Sequence, residues 1–321
     1  MVKNNQIHKG TINWFGKASR ISDIQHIDIL ITRKVRLVEE QLAYGAVLIL
    51  YYDRINSMNI LKFFSSKEKY NSIITFYSIM NLDEVLHYRR SVRAYDRTKL
   101  IDPERIKHCL ELATLAPNSS DMQLWEFYHI TQPELLAKVS RACLDQKATS
   151  TASQIVVFVV RRDWYRKHAR FVLDFERENI RRYSPKERQA KRIKNRELYY
   201  GKLMPFVYAR FFGILGLFRK LLVNIISIFR PMMLEVSEND MRVTAHKSCA
   251  LAAQTFMIAM ANERYDTCPL EGLDSRRLKR ILKLPHGAEI NMVIPCGIRD
   301  GNKGIWGERC RVPFDEVYRR I

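Results

Sequence analysis

The residues best placed to do chemistry are cationic. Arg89, Ser91 and Arg93, with Arg90 between them, lie in HYRRSVRAYD, and Arg309 and Arg311 lie in GERCRVPFDEV near the other end of the chain. Arg89, Ser91 and Arg93 occupy alternating positions suited to gripping a phosphate, for which arginine is the bidentate donor. The plainer alternative for this group is a solvated basic helix end. For Arg309 and Arg311 it is an ordinary basic turn before Pro313.

The elements that must position these residues can be read from pattern. In MNLDEVLHYRR, Asp83 is a candidate N-cap for a short amphipathic helix, and Met80 reads as a domain start. Apolar residues then recur at helical spacing from Ile106 to Leu115, with Asp102 as N-cap, Pro103 at the first helical position and Pro117 beyond the end. WEFYHI and QIVVFVVR read as strands, the second a β-branched run of the kind buried on both faces of a sheet. HKSCALAAQTFMIAMAN, His246 to Asn262, is apolar nearly all round and predicts a helix buried in a core or subunit interface. INMVIPCGI is the next strand. The pattern predicts an α+β fold, a sheet covered by helices.

With 321 residues, 47% hydrophobic, the chain can bury one substantial core. The formal net charge of +20 favours phosphate-bearing or membrane-surface partners. Residues 161–230 hold 19 Lys and Arg against 6 Asp and Glu, so the excess is local. Six scattered cysteines without CxxC or Cys/His spacing predict neither a zinc site nor a disulfide framework, and a reducing cytoplasm fits them. The N-terminus lacks the apolar run and cleavage site of a secretory signal, so export is not expected. Residues 1–79 show no repeat, clean periodicity or catalytic constellation. They read as an accessory extension or the product of a misplaced start codon.

Four pieces in order, HYRRSVRAYD, LAPNSSDMQLWEF, CPLEGLD followed by LKRILKLP, and GERCRVPFDEV, resemble the FMN-dependent nitroreductase family. The similarity spans roughly residues 80–160 and 242–321, and its specificity comes from order and spacing. It implies a nitroreductase-like fold in residues 80–321, a central mostly antiparallel sheet flanked by helices, with a long basic helical insertion at 161–241. It also implies that Arg89 and Ser91 contact the phosphate and ribityl end of FMN, with Arg90 beside them. Arg93 would approach the N1/O2 edge, and Arg309 and Arg311 would close on the phosphate.

By the same resemblance, backbone of the turn Pro269, Leu270, Glu271 and Gly272 lies beside the flavin ring, where an amide can donate to N5 and Gly272 permits close approach. Glu271 could instead be a helix N-terminal acid. Asn118, Ser119, Asp121 and Gln123 are the remaining candidate contacts, with a loop satisfying its own backbone as the alternative. The chain departs from the family pattern in having Asp121 for the usual Asn and Leu124 for the usual Pro. An Asp there cannot donate unless protonated, and its charge opposes an anionic reduced flavin. Trp125 is equally readable as sheet core.

The resemblance implies chemistry carried by the flavin, with no catalytic side chain of the usual kind. NADH or NADPH would be the hydride donor, an electron-poor small molecule such as a nitroaromatic or quinone the acceptor, and a homodimer the working unit. The alternatives are a flavin-dependent dehalogenase, a flavin-destroying member of the superfamily, or a low-turnover flavin-binding protein at a membrane surface.

The insertion leaves its own alternatives. Residues 161–203 interleave Arg and Lys with Trp164, Tyr165, Tyr183, Tyr199 and Tyr200, yet carry no recognised nucleic-acid motif, and a solvated charged helix is expected over nucleic acid. The apolar stretches after Met204 are broken by Arg210, Arg219 and Lys220 and fall short of a membrane span. They suit an interfacial helix on anionic lipid, with arginines reaching back to headgroups across 161–231. A lid over the flavin or a dimer-swapped arm competes with that reading. The expected location is cytoplasmic, peripheral at the inner face of a membrane if the lipid reading holds.

Overall fold

The computed structural model describes residues 80–321. The expected extension 1–79 lies outside them. The described elements run α1 (Leu82–Tyr88), α2 (Pro103–Ala113), β1 (Trp125–Ile130), α3 (Pro133–Ala142), α4 (Lys147–Thr151) and β2 (Gln154–Arg161). The insertion then supplies α5 (Tyr165–Tyr183), α6 (Lys186–Leu198), a π-helical turn (Tyr199–Leu203), α7 (Met204–Tyr208) and α8 (Ile214–Ser227). α9 (Glu238–Asn262), β3 (Asp266–Thr267), α10 (Ser275–Ile281), β4 (Ala288–Gly297) and α11 (Phe314–Val317) complete the chain.

The four strands form one antiparallel sheet in the order β1-β2-β4-β3, antiparallel as the resemblance implies, with the short β3 an addition to the three expected strands. β2 is central, and Gln154 through Val160 are all buried because helices cover both faces. Side chains alternate across a strand, so Val156, Phe158 and Val160 enter one core with α2 and α9, and Ile155, Val157 and Val159 enter the other with α3, α4 and α10. Phe158 meets Phe256 of α9 with ring centroids 5.5 Å apart in the middle of the first core.

α2 keeps its expected limits, Asp102 accepting from the Glu104 amide at 2.9 Å with Pro103 inside the first turn. Two helix starts differ from expectation, for one reason. α1 is capped by Asn81 and not by Asp83, because only Asn81 has an acid three residues on: its side chain accepts from the Glu84 amide while Glu84 accepts from the Asn81 amide, both at 2.9 Å. α9 likewise begins eight residues before His246, at a capping box of Ser237 and Asp240. Its polar first two turns mask the periodicity. The middle of α9 is consumed by the chain's own core, with Ala252, Ala253, Phe256 and Met260 fully buried and Val243 and Leu251 exposed.

The insertion is helical, as expected, but of the five aromatics interleaved with its basic residues all except Tyr183 pack inward. Tyr200, Met204, Val207 and Tyr208 form a third cluster with Met122, Leu124 and Met241, and Trp164, Tyr165 and Tyr199 pack against it. Arg161 stacks over Trp164 at 4.0 Å. Of the interleaved aromatics, Tyr183 is the strongly exposed one. Arg219 departs furthest from expectation. It is buried, donating from Nε to the Val236 carbonyl at 2.8 Å and from Nη1 to those of Phe206 and Ala209 at 2.9 and 3.0 Å. It cannot reach a lipid headgroup, because three carbonyls left between α7, α8 and α9 take its hydrogens.

Candidate functional site

α1 stops at Tyr88, and Arg89 turns into extended backbone. The stretch after it joins the β3 edge: Ser91 bridges Thr267, and the Val92 amide donates to the Thr267 carbonyl at 3.1 Å. Extended chain alternates, so Val92 and Ala94 are buried while Ser91 and Arg93 face outward. Two close approaches fix this stretch. A Cβ on Gly304 would lie 2.3 Å from the Ala94 nitrogen, so only glycine lets the closing segment come close enough for the Gly304 carbonyl to accept from the Arg93 amide at 3.0 Å. Tyr95, fully buried, hydrogen-bonds through its hydroxyl to the Pro295 carbonyl at 2.9 Å, and Gly297 leaves room for its ring.

Ser91 and five arginines thereby come to one open cavity of about 240 Å³. Arg89, Arg90 and Arg93 line it from the first segment, and Arg309 and Arg311 from the last, with Trp306, Glu308 and the exposed Cys310 between. None of these five arginines belongs to an ion pair among the described residues. Burial, then the neighbouring Arg311, pulls the Arg89 guanidinium below its usual range. Arg309 is pulled down by burial, then by Arg311, Arg89 and Arg90. Crowded positive charge without a carboxylate partner is what a dianionic phosphate would relieve.

Two of the arginines also hold backbone. Arg309 donates to the carbonyls of Leu86 at 3.0 Å, His87 at 3.2 Å and Arg89, tying the closing segment to the end of α1. Arg90 donates to the Gly307 carbonyl at 3.1 Å. Arg311 donates from Nη1 only to the adjacent Cys310 carbonyl at 2.6 Å, and Arg93 reaches the Cys268 thiol, whose tendency to ionise is suppressed by burial and partly restored by Arg93 and Arg89.

Cys268 opens the turn containing Pro269, Leu270, Glu271 and Gly272, which therefore adjoins the cavity. Leu270 exchanges two backbone hydrogen bonds of 2.9 Å with Val293 of β4, and the Gly272 carbonyl accepts from Gln146 Nε2 at 2.8 Å. Glu271 and Gly272 are exposed, and a Cβ on Gly272 would meet nothing within 4 Å, so space for a ligand lies beside it. Glu271 is not a helix N-terminal acid: α10 starts at Ser275, and Asp274 caps it through the Arg277 amide at 2.9 Å.

Asn118, Ser119, Asp121 and Gln123 form a separate cluster that does not line the arginine cavity. Ser120, Asp121 and Gln123 all adopt positive φ, at 54°, 51° and 46°, an uncommon density for residues with side chains. Asn118 Oδ1 accepts from the Gln123 amide at 2.9 Å, and Asp121 Oδ1 accepts from Gln123 Nε2 at 3.1 Å. The Ser119 amide donates to Ser248 of α9 at 3.2 Å. The insertion grips the same loop through Tyr199 to Ser120 at 2.8 Å and His168 to the Met122 carbonyl at 2.8 Å. Trp125 is core, 7% exposed beside Phe127.

Sequence reasoning missed Gly304, Trp306, Ser248 and the bracing by Tyr199 and His168. The signal for the first two was present in GNKGIWGERC, where Gly301 and Gly307 take positive φ. Ser248 and the tyrosines act through long-range contacts that no local pattern marks.

Comparison with known proteins follows the same lines. A model of the nitroreductase family matches residues 86–298. Protein DrgA of Synechocystis is 23% identical over 221 residues, covering 68% of this chain and 85% of its own length. SERP2086 of Staphylococcus epidermidis, described as a candidate NAD(P)H nitroreductase, is 24% identical over 200 residues, 62% of this chain and 76% of its own. Among solved structures, that of a candidate nitroreductase from Exiguobacterium sibiricum in complex with FMN superposes with a TM-score of 0.53 at 18% identity, covering 76% of this chain and 99% of the other.

Proposed function

This chain belongs to the nitroreductase family, and from that premise we propose that it is an FMN-dependent oxidoreductase that passes hydride from NADH or NADPH to an electron-poor small molecule such as a nitroaromatic or quinone. The observation that carries the reading is the convergence of Arg89, Arg90, Arg93, Arg309 and Arg311 on one cavity without an acidic ion-pair partner.

The donor set suits the phosphate of FMN. Arg89, Ser91 and Arg311 would hold the phosphate, and Arg309 keeps α1 and the closing segment together so that they can do so. Arg93, next to Cys268, stands between that site and the turn at 269–272. There it would place positive charge near the pyrimidine edge of the ring, and the open side of Gly272 would let backbone approach the ring. When bound, FMN supplies the hydride-accepting and hydride-donating chemistry, and the protein supplies binding, orientation and electrostatics. The relatives' names and the FMN-bound neighbour support the donor and the cofactor.

Asn118, Ser119, Asp121 and Gln123 would act from a second copy of the chain, since within one chain their loop lies apart from the arginines. In a homodimer the loop of one protomer would complete the cavity of the other. The exposed Val243 and Leu251 of α9 are candidate contacts for that assembly.

The test is the visible spectrum of the purified protein, without oxygen, before and after NADH or NADPH. An oxidised-flavin band that bleaches on addition supports the proposal. Protein that is colourless and fails to take up added FMN refutes it.

A further inference from the structure

The last helix of the insertion carries its apolar side outward. In α8 the inward residues are Gly216, Arg219 and Val223, and the exposed ones include Ile214, Leu217, Phe218, Leu221 and Ile225. At 100° per residue these exposed apolar positions share an arc of about 100°. Phe211 and Phe212 extend the surface before the helix, and Ile228 and Phe229 after it, with Phe212 94% and Phe229 83% exposed.

The helix cannot roll to hide this face. A Cβ on Gly216 would sit 2.6 Å from the Glu238 nitrogen, so α8 is seated closely against the start of α9. Rotation would also break the hydrogen bonds that the buried Arg219 gives from Nε and Nη1 to three backbone carbonyls. The outward apolar face is thus built into the fold. A contiguous exposed surface of this kind marks a docking site.

Charge decides the partner. Exposed Lys220 and Arg230 punctuate the apolar surface and Arg210, whose Nη2 lies beside Gly287 and Asp163, borders it, within a stretch where Lys and Arg outnumber Asp and Glu by 19 to 6. Of the nearby acids, Asp240 faces Lys220 at 4.0 Å, Glu238 accepts from the Phe211 amide at 2.9 Å, and Glu235 is exposed. A twofold contact with a second copy would bring the same three cations together, whereas an anionic surface neutralises them. At 14 residues α8 is about 21 Å long, and no described helix is long and apolar enough to cross a membrane. A helix of this length lies in an interface plane.

We propose that α8, with Phe211, Phe212, Ile228 and Phe229, docks in plane on an anionic lipid bilayer surface. This narrows the lipid contact to one helix and its ends, and excludes Arg219 from it.

The test is flotation of the full chain with vesicles of phosphatidylglycerol and phosphatidylcholine, against vesicles of phosphatidylcholine alone. The protein should float with the anionic vesicles and bind the neutral ones at least tenfold more weakly. Leu217→Ser with Leu221→Ser and Ile225→Ser should abolish flotation while leaving melting temperature and flavin uptake unchanged. Lys220→Glu with Arg230→Glu, a second variant independent of apolar loss, should weaken anionic-vesicle binding by more than tenfold, at about fivefold per cation removed. Wild-type protein that stays at the bottom of the gradient overturns the proposal, as does a triple Ser variant that floats like wild type. A triple variant that passes from dimer to monomer by light scattering, with no wild-type flotation, assigns the face to a second copy instead.

Discussion

Two arginine-rich regions of this molecule are built oppositely. Around Glu289, Arg162 and Arg242 pair with the carboxylate and His246 lies 3.3 Å away, while Arg161 nearby takes Glu126 and Asp163. These cations bring their own anions, and the result is a fastening between β2, β4, α9 and the root of the insertion. Around Ser91, five arginines converge with no acidic ion-pair partner, and burial together with neighbouring positive charge pulls Arg89 and Arg309 below their usual range. The first group is completed by the chain itself, and the second keeps its charge without a carboxylate from the described chain. Counting arginines could not distinguish them; asking which arginines have a carboxylate does.

The largest effect should come from breaking the self-completed group. Glu289→Ala leaves the largely buried Arg162 and the exposed Arg242 without their anion and should cost about 3 kcal/mol in denaturant unfolding, with Glu289→Gln recovering part of it. Despite burial, the surrounding His246, Arg242 and Arg162 hold the Glu289 carboxyl well below its usual range. A depressed folded value means that the contribution is complete above the ordinary carboxylate range and is lost as pH falls below it. The stability gap between wild type and Glu289→Gln should therefore be widest near neutrality and shrink in acid.

Removing a member of the open group should have the reverse signature. Arg93→Ala should weaken FMN binding by about 10- to 100-fold, as expected for loss of a charge-assisted contact, while the melting temperature of the FMN-free protein stays the same or rises. A melting temperature that falls steeply would move Arg93 into the structural class. Arg219→Met tests a third way of satisfying a cation, by carbonyls alone, and should cost about 2 kcal/mol in denaturant unfolding with FMN binding intact. Adding FMN at about 100 times its dissociation constant should raise the melting temperature by about 5 °C, and the shift should shrink in Arg93→Ala at the same concentration. The smallest effect sharpens the Asp121 question. Asp121→Asn should raise turnover severalfold if the carboxylate faces the ring across a dimer, and leave it unchanged if Asp121 only accepts from Gln123.

Strands β1, β2 and β4 and helix α2 were legible because the determinants are local: a β-branched run for β2, and Asp102 with Pro103 for α2; the two-residue β3 carries no such signal. The cap of α1 was legible in principle, since Asn81 and Glu84 have capping-box spacing and Asp83 does not. The arginine cavity was legible through the order of its segments, although its closure through Gly304 depends on an approach between residues about 200 apart. Arg219 was not legible, because a cation within an apolar stretch is more often at the surface, and its burial depends on carbonyls brought from the end of α7 and the link before α9. Nor could sequence show that the loop at 118–123 is braced by the insertion, since Tyr199 and His168 meet it only in the folded chain.

Cys310 has a practical consequence. It is exposed on the wall of the arginine cavity, while the other five cysteines are buried, with Cys109 and Cys249 each pushed up to about 12 and Cys143 to about 11. A thiol-directed fluorophore should therefore attach at this one position in the native protein without engineering. Its emission would report occupancy of the cavity in real time, giving association rates for flavins, free phosphates and inhibitors on the unmodified sequence.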